Sequence, residues 1–336
     1  MKTREGDLVE TAEGLMFDVK GLIHPSNRVI AFIRYFPDEK GERGRGLTYD
    51  KVYSLSKRYE LLRKSFPQYL VYDQIFDEEL CEVPTNEITK HHKPIEKLQK
   101  LRESKGLDPV ESEALQLAEL LKEKADIPWN AIGVSGSILV GLHMPNSDID
   151  LVMYGVENCG KAYSTLRNLL EDKNEPLKPY STEDLKTLFE FRSKDTTASF
   201  EDFVRTESRK VMQGKFLGTD YFLRFVKDWN EINENYGDVQ YKNVGYARIQ
   251  AAVADDSESI FTPCKYLIEN AKVIEGPRVH PITEIASFRG RFCEQARKGE
   301  SVVAQGKVEQ VFDRRHDVKC FRLLLGNKPS DFMILK

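Results

Sequence analysis

The sequence predicts an α/β (α+β) core built on a mixed sheet, flanked by an N-terminal α+β region and a C-terminal all-β barrel or sandwich. Three observations carry this expectation. Apolar strand-like runs alternate with 3.6-period helical runs between about residues 94 and 230. The first 93 residues hold short strands with a single helical run, and beyond about 231 strand-like runs recur between Gly, Pro or charged turns. The expected domains are therefore 1–93, 94–230 and 231–336, the core carrying a helical lead-in and a helical insertion at about 173–214.

In order, residues 15–24 and 29–36 read as a hairpin joined by Pro25-Ser26-Asn27, and 37–46, rich in Gly and charge, as a surface loop. Residues 54–64 read as a helix and 69–76 as a strand. His91-His92 lacks Cys or acidic ligands at coordinating spacing and reads as a surface loop. Two helices follow in 94–124, the second with Ala114, Leu117, Ala118 and Leu121 on one side. A short buried strand at 131–134 then meets Gly136-Ser137, which opens a short helix at 137–142.

That turn is the most informative feature of the chain. Gly lets the backbone approach a ligand closely. Ser is favoured at a helix start, and the free amides there suit a phosphate. Ten residues after the turn, residues 148–154 read as a strand closed by Gly155, and Asn158 as the cap of a helix running to about Glu171. Asp148 and Asp150 share one face of it, roughly 6–7 Å apart along the backbone, while Ile149, Leu151 and Met153 face a core. Carboxylates so spaced suit Mg²⁺ together with substrate phosphates. An Asp-x-Asp triplet alone is usually a solvated strand edge, and a lone Gly-Ser says less still. A sugar transferase also uses Asp-x-Asp but has no need of the Gly-Ser helix start upstream.

The string Gly136-Ser137, Gly141 and Ser147-Asp148-Ile149-Asp150-Leu151 resembles the signature of the DNA polymerase β-like nucleotidyltransferase superfamily, closest to its minimal and kanamycin-type members. The chain also resembles archaeal proteins described as predicted nucleotidyltransferases. The resemblance implies that Gly136 and Ser137 bind a triphosphate, that Asp148 and Asp150 hold two Mg²⁺ ions (Mn²⁺ as the alternative), and that a third carboxylate on a later strand completes the site and activates the attacking hydroxyl. In the strand read over 215–226, Asp220 stands where that acid belongs, with Asp228, Asp255 and Asp256 as rivals. Arg224 on the same face meets phosphate or pairs with Asp220. Relatives often carry a basic residue where Val140 stands, so neutralising charge is expected from Arg224 or the helical insertion. His143, a cation near the motif, reads as a turn residue rather than a base.

The formal net charge of −4 announces no nucleic-acid binder. No run has the length of a membrane helix, and the charged start lacks a signal peptide's apolar core. Five scattered cysteines fit neither a disulfide framework nor a zinc site, which reads as a reduced, cytoplasmic protein. Beyond the core, strands are expected at 246–253, 265–274, 282–292, 302–312 and 319–325. Arg289, Arg291, Arg297, Lys298, Lys307, Arg314 and Arg315, with Phe288 and Phe292, could meet RNA or could simply solvate one face; the second is favoured. The expected function is Mg²⁺-dependent transfer of a nucleoside monophosphate from an NTP to a hydroxyl of RNA, protein or a small molecule. The rival is a module of the same fold that binds nucleotide or RNA without turnover.

Overall fold

The computed structural model describes residues 1–44, 46–194 and 197–336. The chain is α+β, with three sheets. In order, the elements up to residue 93 are β1 (Leu8–Thr11), β2 (Met16–Val19), β3 (Arg28–Pro37), β4 (Tyr49–Lys51), α1 (Leu55–Ser65), β5 (Leu70–Asp73), β6 (Glu78–Pro84) and β7 (Ile88–His92). Next come α2 (Pro94–Glu103), α3 (Pro109–Lys124), β8 (Ile132–Val134), α4 (Gly136–Leu139), β9 (Ile149–Tyr154), α5 (Val156–Glu171), β10 (Leu177–Lys178), α6 (Thr182–Arg192) and α7 (Phe200–Glu207). Then follow β11 (Gln213–Phe216), β12 (Thr219–Val226), β13 (Val239–Asp255), β14 (Cys264–Glu275), β15 (Ile282–Ser287), β16 (Ser301–Asp313), β17 (Val318–Leu325) and β18 (Phe332–Leu335).

Contacts divide these elements into two units, along lines that differ from the expected boundaries. The first holds 1–69, 81–179 and 211–233; the second holds 70–80, 180–210 and 234–336. The N-terminal sheet and the core thus share one unit, while the helices of the insertion go with the C-terminal strands. Contact partners decide this division, and sequence proximity does not reveal them.

In the first unit β9 lies between β8, antiparallel to it at the sheet edge, and β12, parallel to it, with β11 and β10 beyond. Ile149, Leu151, Val152 and Met153 are all fully buried. Gly133 in β8 is required by close approach, since a Cβ there would lie 2.4 Å from Pro94 Cβ at the start of α2. α3 is capped by Asp108, whose carboxylate accepts the Glu111 amide at 3.0 Å, and buries Ala114, Leu117, Ala118 and Leu121 as expected.

Three local readings are corrected. The 215–226 run is a hairpin, β11 and β12 joined by Leu217 and Gly218, both at positive φ. Leu217 hid the turn, because Leu rarely adopts that conformation. α5 starts at Val156 rather than at Asn158: Gly155 turns the chain at φ +90, and the Glu231 carboxylate accepts the Val156 amide at 2.9 and 3.0 Å. His91 and His92 lie in strand β7, where they bond Asp7 at 2.8 Å and Glu10 at 2.7 Å, and so do not form a loop.

The C-terminal strands of the second unit close on themselves. Pairings run β13-β14-β15-β17-β16 and back to β13, with β15–β17 the parallel pair. This ring is a five-stranded barrel, extended by β18 on β16. Ile249, Ile285, Val302, Ala304, Val308 and Leu323 are fully buried. Of the basic and aromatic residues singled out there, Lys307 is 1 % exposed and ion-paired to Glu309 at 2.8 Å, and Phe292 is 2 % exposed. Arg315 pairs with Asp313 at 2.8 Å. Those three serve structure rather than an open basic surface.

Candidate active site

The Gly-Ser bend and the second aspartate meet directly. The Ser135 amide donates to the Asp150 carbonyl at 2.8 Å, which ties the end of β8 to β9. Gly136 follows at φ +60, where a Cβ would lie 1.9 Å from Asp150 Oδ2. Only glycine allows the bend and the carboxylate to coexist. Ser135 Oγ donates to the Gly6 carbonyl at 2.6 Å, so the N-terminal segment holds the bend from outside. Arg43 donates to the Leu142 carbonyl at 2.9 Å just past α4, and Leu139 and Leu142 pack with Leu8, Met16, Tyr35 and Tyr49. Ser137 is 2 % exposed, yet its Oγ has no hydrogen-bond partner among the described residues.

Asp148 is exposed and Asp150 half-buried. Burial and then the neighbouring Asp148 push the Asp150 carboxyl up to about 7, against the pull of Arg224, Lys51 and Arg34. Asp220 stands at the same end of the sheet as Asp148. Each immediately precedes the first rung of the parallel ladder, Ile149 opposite Tyr221, whereas Phe222 lies opposite Asp150. The Asp220 carboxylate is half-exposed and held by Lys215, its hairpin neighbour, at 3.2 Å.

Arg224 turns toward the N-terminal sheet, where its guanidinium donates to Glu5 Oε1. Glu5 also accepts Lys20 at 2.7 Å and the Gly21 amide at 2.6 Å, and Lys20 reaches Asp18 at 2.9 Å. Burial raises the Asp18 carboxyl, but Lys20, Arg224 and Arg34 outweigh it and hold it well below the usual carboxylate range. The residues that sequence reasoning passed over are therefore Asp18 on β2, Arg34 on β3 and Lys51 on β4. Arg34 feels Asp18, Asp150 and Asp148. Lys51 feels the same aspartate pair, while burial and Arg34 push it down to about 8. The one signal for Asp18 and Arg34 was a charge set inside an apolar strand, and Lys51, in the short strand Tyr49–Lys51, carried none. Of the two expected sources of neutralising cations, Arg224 acts on Asp150, whereas the helices of the insertion belong to the other unit.

The rival acids have other work: Asp228 pairs with Arg4 at 2.7 Å, and Asp255 and Asp256 lie in the second unit. His143 is a loop residue as expected, bonded to Asp108 at 2.6 Å. Asp108, Glu111 and His143 have ligand atoms within 4.8 Å of one another. Asp108 is already the cap of α3, and Glu111 is held by Lys97 at 2.9 Å. That arrangement fastens a loop to a helix.

Gly136 thus meets Asp150, and Asp148, Arg224, Lys51 and Arg34 bear on Asp150 electrostatically, while Asp220 stands one position before the same ladder rung as Asp148 and is held by Lys215. No family profile and no solved structure matches the chain. It is 35 % identical over 341 residues to the uncharacterized protein MJ1086 of Methanocaldococcus jannaschii, covering 99 % of this chain and 98 % of that protein. The chain belongs to the family of that archaeal protein.

Proposed function

We propose that the protein is a divalent-metal-dependent nucleotidyltransferase. The observation that carries this reading is the contact of the Gly136 bend with the Asp150 carboxylate, beside the unpartnered Ser137 hydroxyl. The donor set fits Mg²⁺: oxygens of Asp148, Asp150 and Asp220, two of them on carboxylates that repel one another without a cation between. When bound, the metal would neutralise phosphate charge and polarise the phosphorus under attack.

The amides of the first turn of α4 have no partners within the helix, and with Ser137 Oγ they hold the triphosphate oxygens. Asp220 accepts the proton of the acceptor hydroxyl once its carboxylate leaves Lys215. The hydroxyl oxygen bonds to the α-phosphorus, the bond from that phosphorus to the α–β bridging oxygen breaks, and pyrophosphate departs. Positioning and fixed charge supply the acceleration.

The test is transfer of label from each of the four NTPs, with Mg²⁺, to total cellular RNA and protein. Metal-dependent pyrophosphate release that Asp148→Asn and Asp150→Asn abolish is the expected result. Nucleotide binding without release in the unsubstituted protein would leave the non-catalytic module instead.

A further inference from the structure

The cations around the acids fall into two sets. Lys20 and Arg224 are committed, the first to Glu5 and Asp18, the second to Glu5. Among the described residues, neither Arg34 nor Lys51 has an ion-pair partner within 4.0 Å. Lys51 instead lies over the rings of Tyr53 at 4.9 Å and Tyr35 at 6.0 Å. Both interact electrostatically with Asp148 and Asp150 from β3 and β4, strands whose Tyr35 and Tyr49 pack against Leu139 and Leu142 beside the motif, and both are half-buried. Each carries the like charge of the other at close range. Tyr35, between them in sequence and paired with Lys51 across β3 and β4, is 1 % exposed with an unpartnered hydroxyl.

Two half-buried cations that repel one another are costly unless an anion satisfies them. Asp148 and Asp150 balance them only while those carboxylates carry no metal. Once a divalent ion neutralises the aspartates, Arg34 and Lys51 are left in excess, and the complement is an anion with more than one charge. A guanidinium matches phosphate oxygens in a fork, and an ammonium adds a point charge. We propose that Arg34 and Lys51 together receive the β- and γ-phosphates of the bound nucleotide, and hence the pyrophosphate that leaves. This rests on the nucleotidyltransferase reading and assigns its leaving-group pocket to the N-terminal sheet.

The experiment is calorimetric titration of the full chain with inorganic pyrophosphate, with and without Mg²⁺, and separately with inorganic phosphate. Arg34→Gln and Lys51→Gln are each expected to weaken pyrophosphate about tenfold or more, and the double variant about a hundredfold. Phosphate should change by less than about threefold, because it carries less charge and lacks the second phosphoryl group that the pair is proposed to hold. Arg28→Gln, on the same strand but bonded to the Glu82 carbonyl at 3.3 Å, is the control and should bind as the unsubstituted protein does. Arg34→Lys and Lys51→Arg should recover part of the loss, which a folding defect would not allow.

Unchanged pyrophosphate affinity in the double variant overturns the proposal. So does an equal loss for phosphate, which would mark a site for a single phosphate on the acceptor. The two readings fail separately. Transfer that depends on Asp148 but is indifferent to Arg34 and Lys51 sinks only this inference. Pyrophosphate binding that depends on both cations, with no transfer, supports it and sinks the enzymatic reading.

Discussion

The barrel and the aspartate site both bury charges, and they settle them in opposite ways. On the barrel, Lys307 reaches Glu309 at 2.8 Å and Glu78 at 2.5 Å, Arg322 reaches Glu309 at 2.7 Å, and Glu284 holds Lys265 at 3.3 Å. Arg322 also covers the Tyr241 ring at 3.8 Å. Each charge in this chain has an opposite neighbour. In the first unit, two acids sit side by side, two cations face them without ion-pair partners, and a buried hydroxyl has no mate. A network of paired charges maintains a fold, whereas unpaired charges are maintained by the fold. Substitution should tell them apart, because removing a member harms stability in the first kind and activity in the second.

The largest expected effect lies at the aspartates. Asp148→Asn and Asp150→Asn should each cut transfer on the order of 10³-fold. Their melting temperature should hold or rise, since either change relieves carboxylate repulsion. A variant that loses activity only because it unfolds would erase the contrast. On the barrel the order reverses. Glu309→Ala strands Lys307 and Arg322 against single remaining partners and should cost about 3 kcal/mol of stability, read by urea unfolding. A change of under about 1 kcal/mol would mean that the network is ornamental.

The glycines sharpen the comparison inside the site. Gly136 and Gly141 both have positive φ, +60 and +70, but a Cβ at Gly141 meets nothing within 4 Å. Gly141→Ala should therefore show only backbone strain, about 1 kcal/mol, with transfer intact. Gly136→Ala suffers the same strain and displaces the Asp150 carboxylate as well, for which about a 10²-fold loss of transfer is expected. Equal activity in the two would mean that the bend does not position the acid.

The contrast also explains what could be read beforehand. Gly136, Ser137, Asp148 and Asp150 were legible because one turn and one strand carry them close together in sequence, so local periodicity fixes their common face. Arg34, Lys51 and Asp18 come from strands about a hundred residues earlier, and nothing local says which sheet they will face. Lys307 read as a surface cation because strand alternation marks a second face without saying whether another element covers it; here Glu78 lies on it. The segments 70–80 and 180–210 were assigned by neighbourhood along the chain, though their contacts lie with the barrel.

Acid should separate the two regions by the smallest effect. His24, between β2 and β3, accepts the Ile30 amide on Nδ1 at 3.2 Å. Burial pushes it down to about 4. The unfolded chain therefore takes up a proton near pH 6.5 that the folded chain refuses until about pH 4, and stability falls as pH falls between those values. Glu309 shifts the other way for its type. Burial raises its carboxyl, but Arg322 and Lys307 outweigh burial and lower it. Its contribution is fully present above the ordinary carboxylate pKa and is lost only as pH falls through the lowered value. Amide exchange at pH 5 should thus speed up in β2 and β3, by about 1–2 kcal/mol of lost protection, while β16 and β17 keep theirs. His24→Asn, which retains an acceptor without the titration, should remove that difference; a slope that persists in the variant would place its origin in another group of the same sheet.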